Sequence, residues 1–99
     1  MKILVCDNLE KKVVEKLSDL GEVTNITDSK NKTEELMSNI VDTDIVVIRS
    51  STKINKDILQ EANKLKIIAR CGVGIDNIDI KEATNKKIYV TNSPNANII

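Results

Sequence analysis

Short apolar runs alternate along the chain with longer segments in which apolar residues recur every three or four positions. The short runs are rich in β-branched residues and predict strands, whereas the longer spacing is that of amphipathic helices. The predicted strands are 2–6, 22–26, 44–48, 66–70 and 87–90, and the predicted helices are 9–20, 33–41, 55–62 and 79–85.

Strict alternation of strands and helices predicts an α/β fold with a parallel sheet and helices on both faces. Right-handed crossovers restrict the topology, and five strands with four helices fit a flavodoxin-like, doubly wound sheet of order 2-1-3-4-5. Asp7 or Asn8 is expected to cap the first helix, and Asn55 and Asp79 the third and fourth. Gly21 is expected to end the first helix as a C′ glycine.

The composition of the chain argues against several classes of function. Fifteen basic and fifteen acidic residues cancel, and Tyr89 is the one aromatic residue among 99, so neither a basic nor a base-stacking nucleic-acid surface is expected. No apolar stretch suits a transmembrane helix, and the N-terminal one is too short for a signal peptide, which predicts a cytoplasmic protein. Cys6 and Cys71 form no metal-type pair, and we expect free thiols on the core side.

The candidate binding residues lie where the parallel strands end, because ligands of open α/β sheets bind beyond the carboxyl ends of the strands. Arginine pairs with carboxylate or phosphate through two hydrogen bonds, and a Gly-x-Gly turn lets backbone amides approach an anion. The edge therefore predicts a site for a small, multiply charged anion. The alternative is that Arg49 and Arg70 form surface salt bridges and that Gly72 and Gly74 serve a tight turn only. The residues after the strands are 7–8, 49–53, 70–74 and 91–93.

A dinucleotide loop at Gly72-x-Gly74 is not favoured. Asn77 occupies the place of the third glycine, and the following strand ends without an acidic residue. The chain also has no histidine, so it lacks the commonest acid–base group near neutral pH. Asp7, Asp76 and Asp79 are interpreted as cap and turn residues, which leaves no catalytic residue and no metal site assigned.

Two stretches carry a family resemblance. Ile48-Arg49-Ser50-Ser51-Thr52-Lys53-Ile54 and the later Arg-x-Gly-x-Gly-x-Asp-Asn-Ile-Asp at 70–79 resemble the D-isomer-specific 2-hydroxyacid dehydrogenases, especially their phosphoglycerate dehydrogenase branch. The closing segment 90–97 is similar to the family's hinge before its dinucleotide domain. The resemblance covers essentially the whole chain.

The resemblance implies a substrate-binding lobe at 1–90 and, at 91–99, a hinge into a Rossmann domain that lies outside the sequence. It implies that Val73 and Gly74 hold the substrate carboxylate through their backbone amides, and that Val73 also lies against the nicotinamide of NAD. Arg49, Ser50 and Arg70 would help bind the charged substrate. The closing segment would add one more substrate-binding residue, Asn97.

The implied reaction is NAD-dependent oxidation of 3-phosphoglycerate to 3-phosphohydroxypyruvate, the first step of serine synthesis. The family's catalytic arginine, glutamate and histidine and its NAD-binding motif find no match here, so a truncated chain, inactive alone, is expected. The full-length protein would be a homodimer or tetramer. The charge carried by Arg49 favours a phosphorylated substrate without excluding a simpler 2-hydroxy acid.

The same residues bear on other classes of α/β protein. A phosphoacceptor receiver needs an aspartate after the third strand, where Arg49 stands. A flavin binder needs a hydroxyl-rich loop after the first strand and aromatic residues around the ring. A small-anion-binding module without catalysis stays open as the alternative function, and an inert interaction domain is the third interpretation.

Overall fold

The fold was described from a computed structural model, which covers residues 1–72, 74 and 76–93. Five strands alternate with four helices. The strands are β1 (Lys2–Val5), β2 (Glu22–Asn25), β3 (Ile45–Ile48), β4 (Ile67–Cys71) and β5 (Tyr89–Ser93). The helices are α1 (Lys11–Leu20), α2 (Lys32–Ile40), α3 (Lys56–Glu61) and α4 (Ile80–Asn85).

All strand pairings are parallel, and the order is β2-β1-β3-β4-β5. The predicted fold class and strand order are therefore confirmed. Helix α1 packs on one face, where Val13 and Leu17 join Ile3, Val5 and Val47 in one buried cluster. Helices α2, α3 and α4 cover the other face and enclose the larger cluster.

Central strands contribute to both clusters because successive side chains of a strand point to opposite faces. In β3, Val46 and Ile48 face the three-helix side, whereas Val47 faces α1, and all three are fully buried. A continuous apolar run is what such a strand requires. The cysteines follow the same rule, since Cys6 and Cys71 are buried and free, as expected. Burial raises the pKa of the Cys6 thiol to about 12, which keeps it protonated and unreactive.

Two of the predicted helix caps are confirmed. Asn55 accepts a hydrogen bond from the Ile58 amide at 3.0 Å, and Asp79 accepts one from the Glu82 amide at the same distance. The predicted cap of α1 by Asp7 or Asn8 is wrong, because that helix begins at Lys11 with Glu10 in the capping position. The Asp7 carboxylate is instead used across the sheet edge.

Gly21 follows α1 as predicted, but for a different reason. Its φ of 177° is extended backbone rather than the left-handed conformation of a C′ glycine. A Cβ at this position would lie 2.5 Å from the carbonyl oxygen of Met1. That oxygen accepts the Glu22 amide at 2.9 Å where β2 begins beside β1, so the glycine permits a close approach of two backbones.

Strand β5 begins two residues later and ends three residues later than its predicted range of 87–90. The late start has a local cause, because Lys87 adopts a φ of 61° and its amide bonds to the Thr84 carbonyl, which closes α4. The first three residues of the predicted hinge, 91–93, pair with β4. The remainder of the hinge, 94–99, lies outside the described residues.

Lys87 provides a test of this turn. A non-glycine residue in the left-handed region costs about 1–2 kcal/mol, so Lys87→Gly is expected to raise the free energy of unfolding by about 1 kcal/mol. Urea denaturation followed by circular dichroism measures the change. Lys86→Gly is the matched control and is expected to destabilise, because Lys86 has an ordinary φ of −91° and its ammonium bonds to the Leu59 carbonyl. Equal effects of both changes would contradict the assignment of strain to Lys87.

Candidate functional site

The loops after β1, β3 and β4 meet at the carboxyl edge of the sheet. Val5 pairs with Val47 and Ile48 pairs with Arg70, so the residues that follow these strands are neighbours. This is the edge at which open α/β sheets bind ligands. The three loops are joined there by the side chains of Asp7 and Asn77.

Asp7 is the acceptor that organises the loop after β3. One carboxylate oxygen accepts the Arg49 amide at 2.6 Å and the Thr52 amide at 3.2 Å. The other accepts the Thr52 hydroxyl and the Lys32 ammonium, each at 2.6 Å. Asp7 is only 3% exposed, so these four bonds satisfy a buried charge that would otherwise be costly.

The ionisation of Asp7 reflects two opposing effects. Burial alone raises the pKa of a carboxyl group, because it disfavours the charged form. The hydrogen bonds from Lys32, Thr52 and the Arg49 amide act the other way and prevail, so the pKa of Asp7 lies below its ordinary value of 3.8. The carboxylate is therefore ionised at neutral pH and holds the loop as an acceptor.

Asn77 binds the same loop by donating hydrogen bonds to two of its backbone carbonyl groups. Its amide nitrogen donates to the carbonyl oxygens of Arg49 and Thr52, each at 2.7 Å. Its own side-chain oxygen accepts the Arg70 Nε–H at 2.8 Å. The backbone continues the connection, because the Ile54 amide donates to the Asn77 carbonyl at 2.9 Å. The β3 loop and the β4 loop thus form one hydrogen-bonded unit.

Arg70 is the buried cation of this unit and is 7% exposed. A Cβ at Gly72 would lie 2.8 Å from the Arg70 Nη1 atom, so the guanidinium occupies the space above this glycine. Gly72 and Gly74 have positive φ values of 155° and 92°. Both glycines therefore serve the turn, and Gly72 also makes room for the arginine.

The structure brings most of the predicted site residues to one edge. Arg49 and Ser50 are exposed in the β3 loop, and Arg49 Nη1 lies 3.5 Å from the Asn8 carbonyl oxygen. Gly74 is exposed in the β4 loop beyond the buried Arg70. Val73 and Asn97, the other two predicted residues, lie outside the described residues. Binding by any of these residues stays a prediction.

Sequence reasoning missed the residues that hold the predicted ones. Asp7 was interpreted as a helix cap, and Asn77 was considered only as a replacement for a third glycine. Thr52 and Lys32 were assigned no role. One signal was available for Asp7, since an acidic residue directly after a buried strand lies among the free backbone amides of the neighbouring loop.

A cavity of about 320 Å³ opens beside the β3 loop. Among the described residues, its polar lining contains two lysines and no carboxylate, and Leu36 and Ile58 form its apolar part. The Lys32 ammonium is paired with Asp7, so Lys53 adds the further positive charge to this side of the loop. The polar lining residues are Lys32, Thr33, Ser51, Thr52, Lys53 and Asn55.

The turn at Gly72 and Gly74 differs from a pyrophosphate loop in its distance from the next helix. A pyrophosphate loop leads directly into a helix N-terminus, whereas α4 begins at Ile80, eight residues after Gly72. Among the described residues, no group of three or more acidic, cysteine or histidine side chains could hold a metal ion. Within the same part of the chain, no helix has the length and apolar character needed to span a membrane.

Residues 3–99 match the family model described as D-isomer specific 2-hydroxyacid dehydrogenase, catalytic domain. The chain belongs to this family of oxidoreductases.

Individual relatives agree with this assignment. The chain is 46% identical to D-3-phosphoglycerate dehydrogenase of Methanocaldococcus jannaschii, with 100% of this chain and 18% of that protein aligned. It is 40% identical to hydroxypyruvate reductase of Thermotoga maritima, with 96% and 31% aligned. The NAD+-bound 3-phosphoglycerate dehydrogenase of Entamoeba histolytica superposes with a TM-score of 0.81 at 37% identity, covering 95% of this chain and 33% of that one. The chain thus spans less than a third of the length of these two curated relatives.

The Asp7 carboxylate can be tested by Asp7→Asn. The amide keeps the shape but places an N–H donor either against the Arg49 and Thr52 amides or against the Lys32 ammonium, so we expect a loss of about 1.5–3 kcal/mol in the free energy of unfolding at pH 7. Because the pKa of Asp7 is lowered by folding, its contribution is present above the ordinary value of 3.8 and is lost as the pH falls through the lower, folded value. The difference between the two proteins should therefore shrink under acid, which urea titrations at several pH values measure.

Asp42→Asn is the matched control. Asp42 pairs with Lys2 on the surface, where both side chains are about half exposed. Exposed ion pairs contribute little to stability, so a much smaller effect is expected at every pH. A loss as large as that of Asp7→Asn would show that charge removal alone, rather than the buried network, causes the change.

Proposed function

We propose that this chain is the substrate-binding part of an NAD-dependent D-2-hydroxyacid dehydrogenase that oxidises 3-phosphoglycerate to 3-phosphohydroxypyruvate. The proposal rests mainly on one observation. Arg49 and Arg70 are connected through Asn77 at the carboxyl edge of the sheet. Arg70 is held by Asn77 beside Gly72, and Arg49 lies exposed in a loop tied to the same Asn77. A phosphorylated acid carries two anionic ends, and guanidinium groups bind both phosphate and carboxylate.

In this proposal Arg49, Ser50, Arg70 and Gly74 bind the anionic substrate, the glycine through its backbone amide. Positive charge at the β3 loop is extended by Lys53 in the adjacent cavity, which supports the phosphorylated substrate over a simple 2-hydroxy acid. Val73 and Asn97 complete the proposed set on the strength of the family resemblance, with Val73 also lying against the cofactor.

The chemistry of hydride transfer is assigned to residues beyond these 99. Two observations support this assignment: the sequence contains no histidine, and α4 begins at Ile80, eight residues after Gly72. We therefore propose that the catalytic arginine, glutamate and histidine and most of the NAD contacts belong to another domain, reached through a hinge at 91–99. A cytoplasmic homodimer or tetramer acting in serine synthesis is part of the same proposal. The alternative is a small-anion-binding module without catalysis.

An NMR titration tests the proposal directly. The labelled chain is titrated with 3-phosphoglycerate, and D-lactate and NAD serve as controls. Amide shifts that cluster at Arg49, Ser50, Arg70 and Gly74, and that are larger for the phosphorylated acid, support a substrate-binding lobe. Equal shifts with D-lactate would remove the preference for phosphate, and no shift at millimolar ligand would contradict anion binding by this chain.

The arginines are tested by single substitutions. Arg70→Ala is expected to weaken binding of 3-phosphoglycerate by about 1.5–3 kcal/mol for each charged hydrogen bond lost. Arg49→Ala is expected to cost less, because solvent screens this exposed side chain. Calorimetric titration measures both losses. Lys16→Ala, which removes one exposed charge from α1, is the control, and an equal loss there would indicate general charge attraction only.

Turnover is the second test. The 99-residue chain mixed with NAD and 3-phosphoglycerate is expected to produce no NADH, because the proposed catalytic groups are outside it. Absorbance at the NADH band measures the reaction. Reproducible NADH formation by pure chain would contradict the assignment of catalysis to another domain.

A further inference from the structure

Asn77 makes three side-chain hydrogen bonds that converge on the proposed anion-binding residues. Its amide nitrogen has two N–H groups, and each is directed to a carbonyl oxygen of the β3 loop. Its oxygen accepts from Arg70. A side-chain amide has two donors and one oxygen acceptor, so every polar group of Asn77 is bonded to a segment that carries a proposed binding arginine.

The bond to Arg70 fixes the guanidinium plane. A guanidinium is rigid and planar, so an acceptor at Nε determines the directions of all its N–H groups. The guanidinium also lies in the space above Gly72 that a side chain would otherwise fill. Burial to 7% exposure removes most of the alternative rotamers that a surface arginine would sample.

The bonds to the β3 loop complement those of Asp7. Asp7 accepts the amide N–H groups of Arg49 and Thr52, while Asn77 donates to the carbonyl oxygens of the same two residues. The backbone N–H and the backbone carbonyl of both residues are therefore hydrogen-bonded. The backbone of Arg49 is thus fixed in position, although the Arg49 side chain is exposed.

We infer that Asn77 is a positioning residue that couples Arg49 to Arg70, so that the two cations bind the two anionic ends of one small acid together. The inference rests on the proposed function, since it assigns both arginines to one ligand. Asn77 acts through its three partners and not by contact with the ligand. The Asn77 side chain is only partly exposed behind the loop.

A double-mutant cycle tests the coupling, with 3-phosphoglycerate as the probe and calorimetric titration as the measurement. Asn77→Ala is expected to weaken binding by up to about tenfold, because Arg70 then has to be ordered when the ligand binds. Arg70→Ala is then expected to cost much less in the Asn77→Ala background than in the unsubstituted chain, because Arg70 has already lost its fixed orientation. Additive losses would overturn the inference. Asn63→Ala, in the exposed loop after α3, is the control and should leave binding unchanged.

A second measurement needs no ligand. In the unsubstituted chain the Arg70 Nε–H is expected to exchange slowly with solvent in NMR spectra, and Asn77→Ala is expected to accelerate that exchange. Asn77→Asp keeps an oxygen that accepts from Arg70 but places its second oxygen against the carbonyl oxygens of Arg49 and Thr52. It should therefore preserve the slow exchange of the Arg70 Nε–H while changing the amide chemical shifts of the β3 loop. This variant also serves if Asn77→Ala does not fold. Unchanged exchange in Asn77→Ala, or unchanged loop amides in Asn77→Asp, would overturn the inference.

The two measurements separate the failure of this inference from that of the proposed function. No binding of 3-phosphoglycerate by the unsubstituted chain overturns the proposed function. The Nε–H exchange would still decide whether Asn77 sets the position of Arg70. Binding together with additive losses overturns the coupling alone and leaves the proposed function standing.

Discussion

The buried carboxylate of Asp7 is the interaction on which the candidate site depends. It lies at the end of β1, yet its four hydrogen bonds reach α2 and the loop after β3. An ionised group at 3% exposure is tolerable only when its acceptor capacity is used. The loop that carries Arg49 and Ser50 therefore takes the shape that satisfies Asp7, and the exposed part of the site follows from a requirement in its buried part.

A division of roles follows from this arrangement. The exposed residues of the edge, Arg49 and Ser50, are those proposed to meet the ligand. The residues behind them, Asp7, Thr52 and Asn77, bond mainly to backbone groups and set geometry. Arg70 belongs to both sets, because it is buried and is also directed toward the edge through its bond to Asn77. Such preorganisation lowers the entropy that must be lost when a charged ligand binds.

Sequence patterns were sufficient for the architecture because hydrophobic periodicity and crossover handedness are local or topological rules. They identified the five strands and four helices of the described residues, and the order of the strands. They failed where a side chain bonds to something distant in sequence. An aspartate near a helix start suggests a cap, and nothing within ten residues of Asp7 reveals that its partners are Lys32, Arg49 and Thr52. Likewise, the sequence shows Asn77 only in the place of a third glycine, and its bonds to the β3 loop become evident once β3 and β4 are placed side by side. The late start of β5 depended on the left-handed backbone of Lys87, which its residue type does not suggest.

The strand order has a consequence for how the site is assembled during folding. Pairing between consecutive strands joins β1 to β2, β3 to β4 and β4 to β5, whereas β1 and β3 are separated in sequence by the whole of α1, β2 and α2. The Asp7 bonds to Arg49 and Thr52 span the same gap, 42 and 45 residues. Closing this longest loop carries the largest entropic cost of any pairing in the sheet. The bonds from Asp7 to the loop that carries Arg49 and Ser50 thus form only when β1 docks beside β3, so affinity at the proposed anion-binding edge is expected to depend on docking of both halves of the sheet.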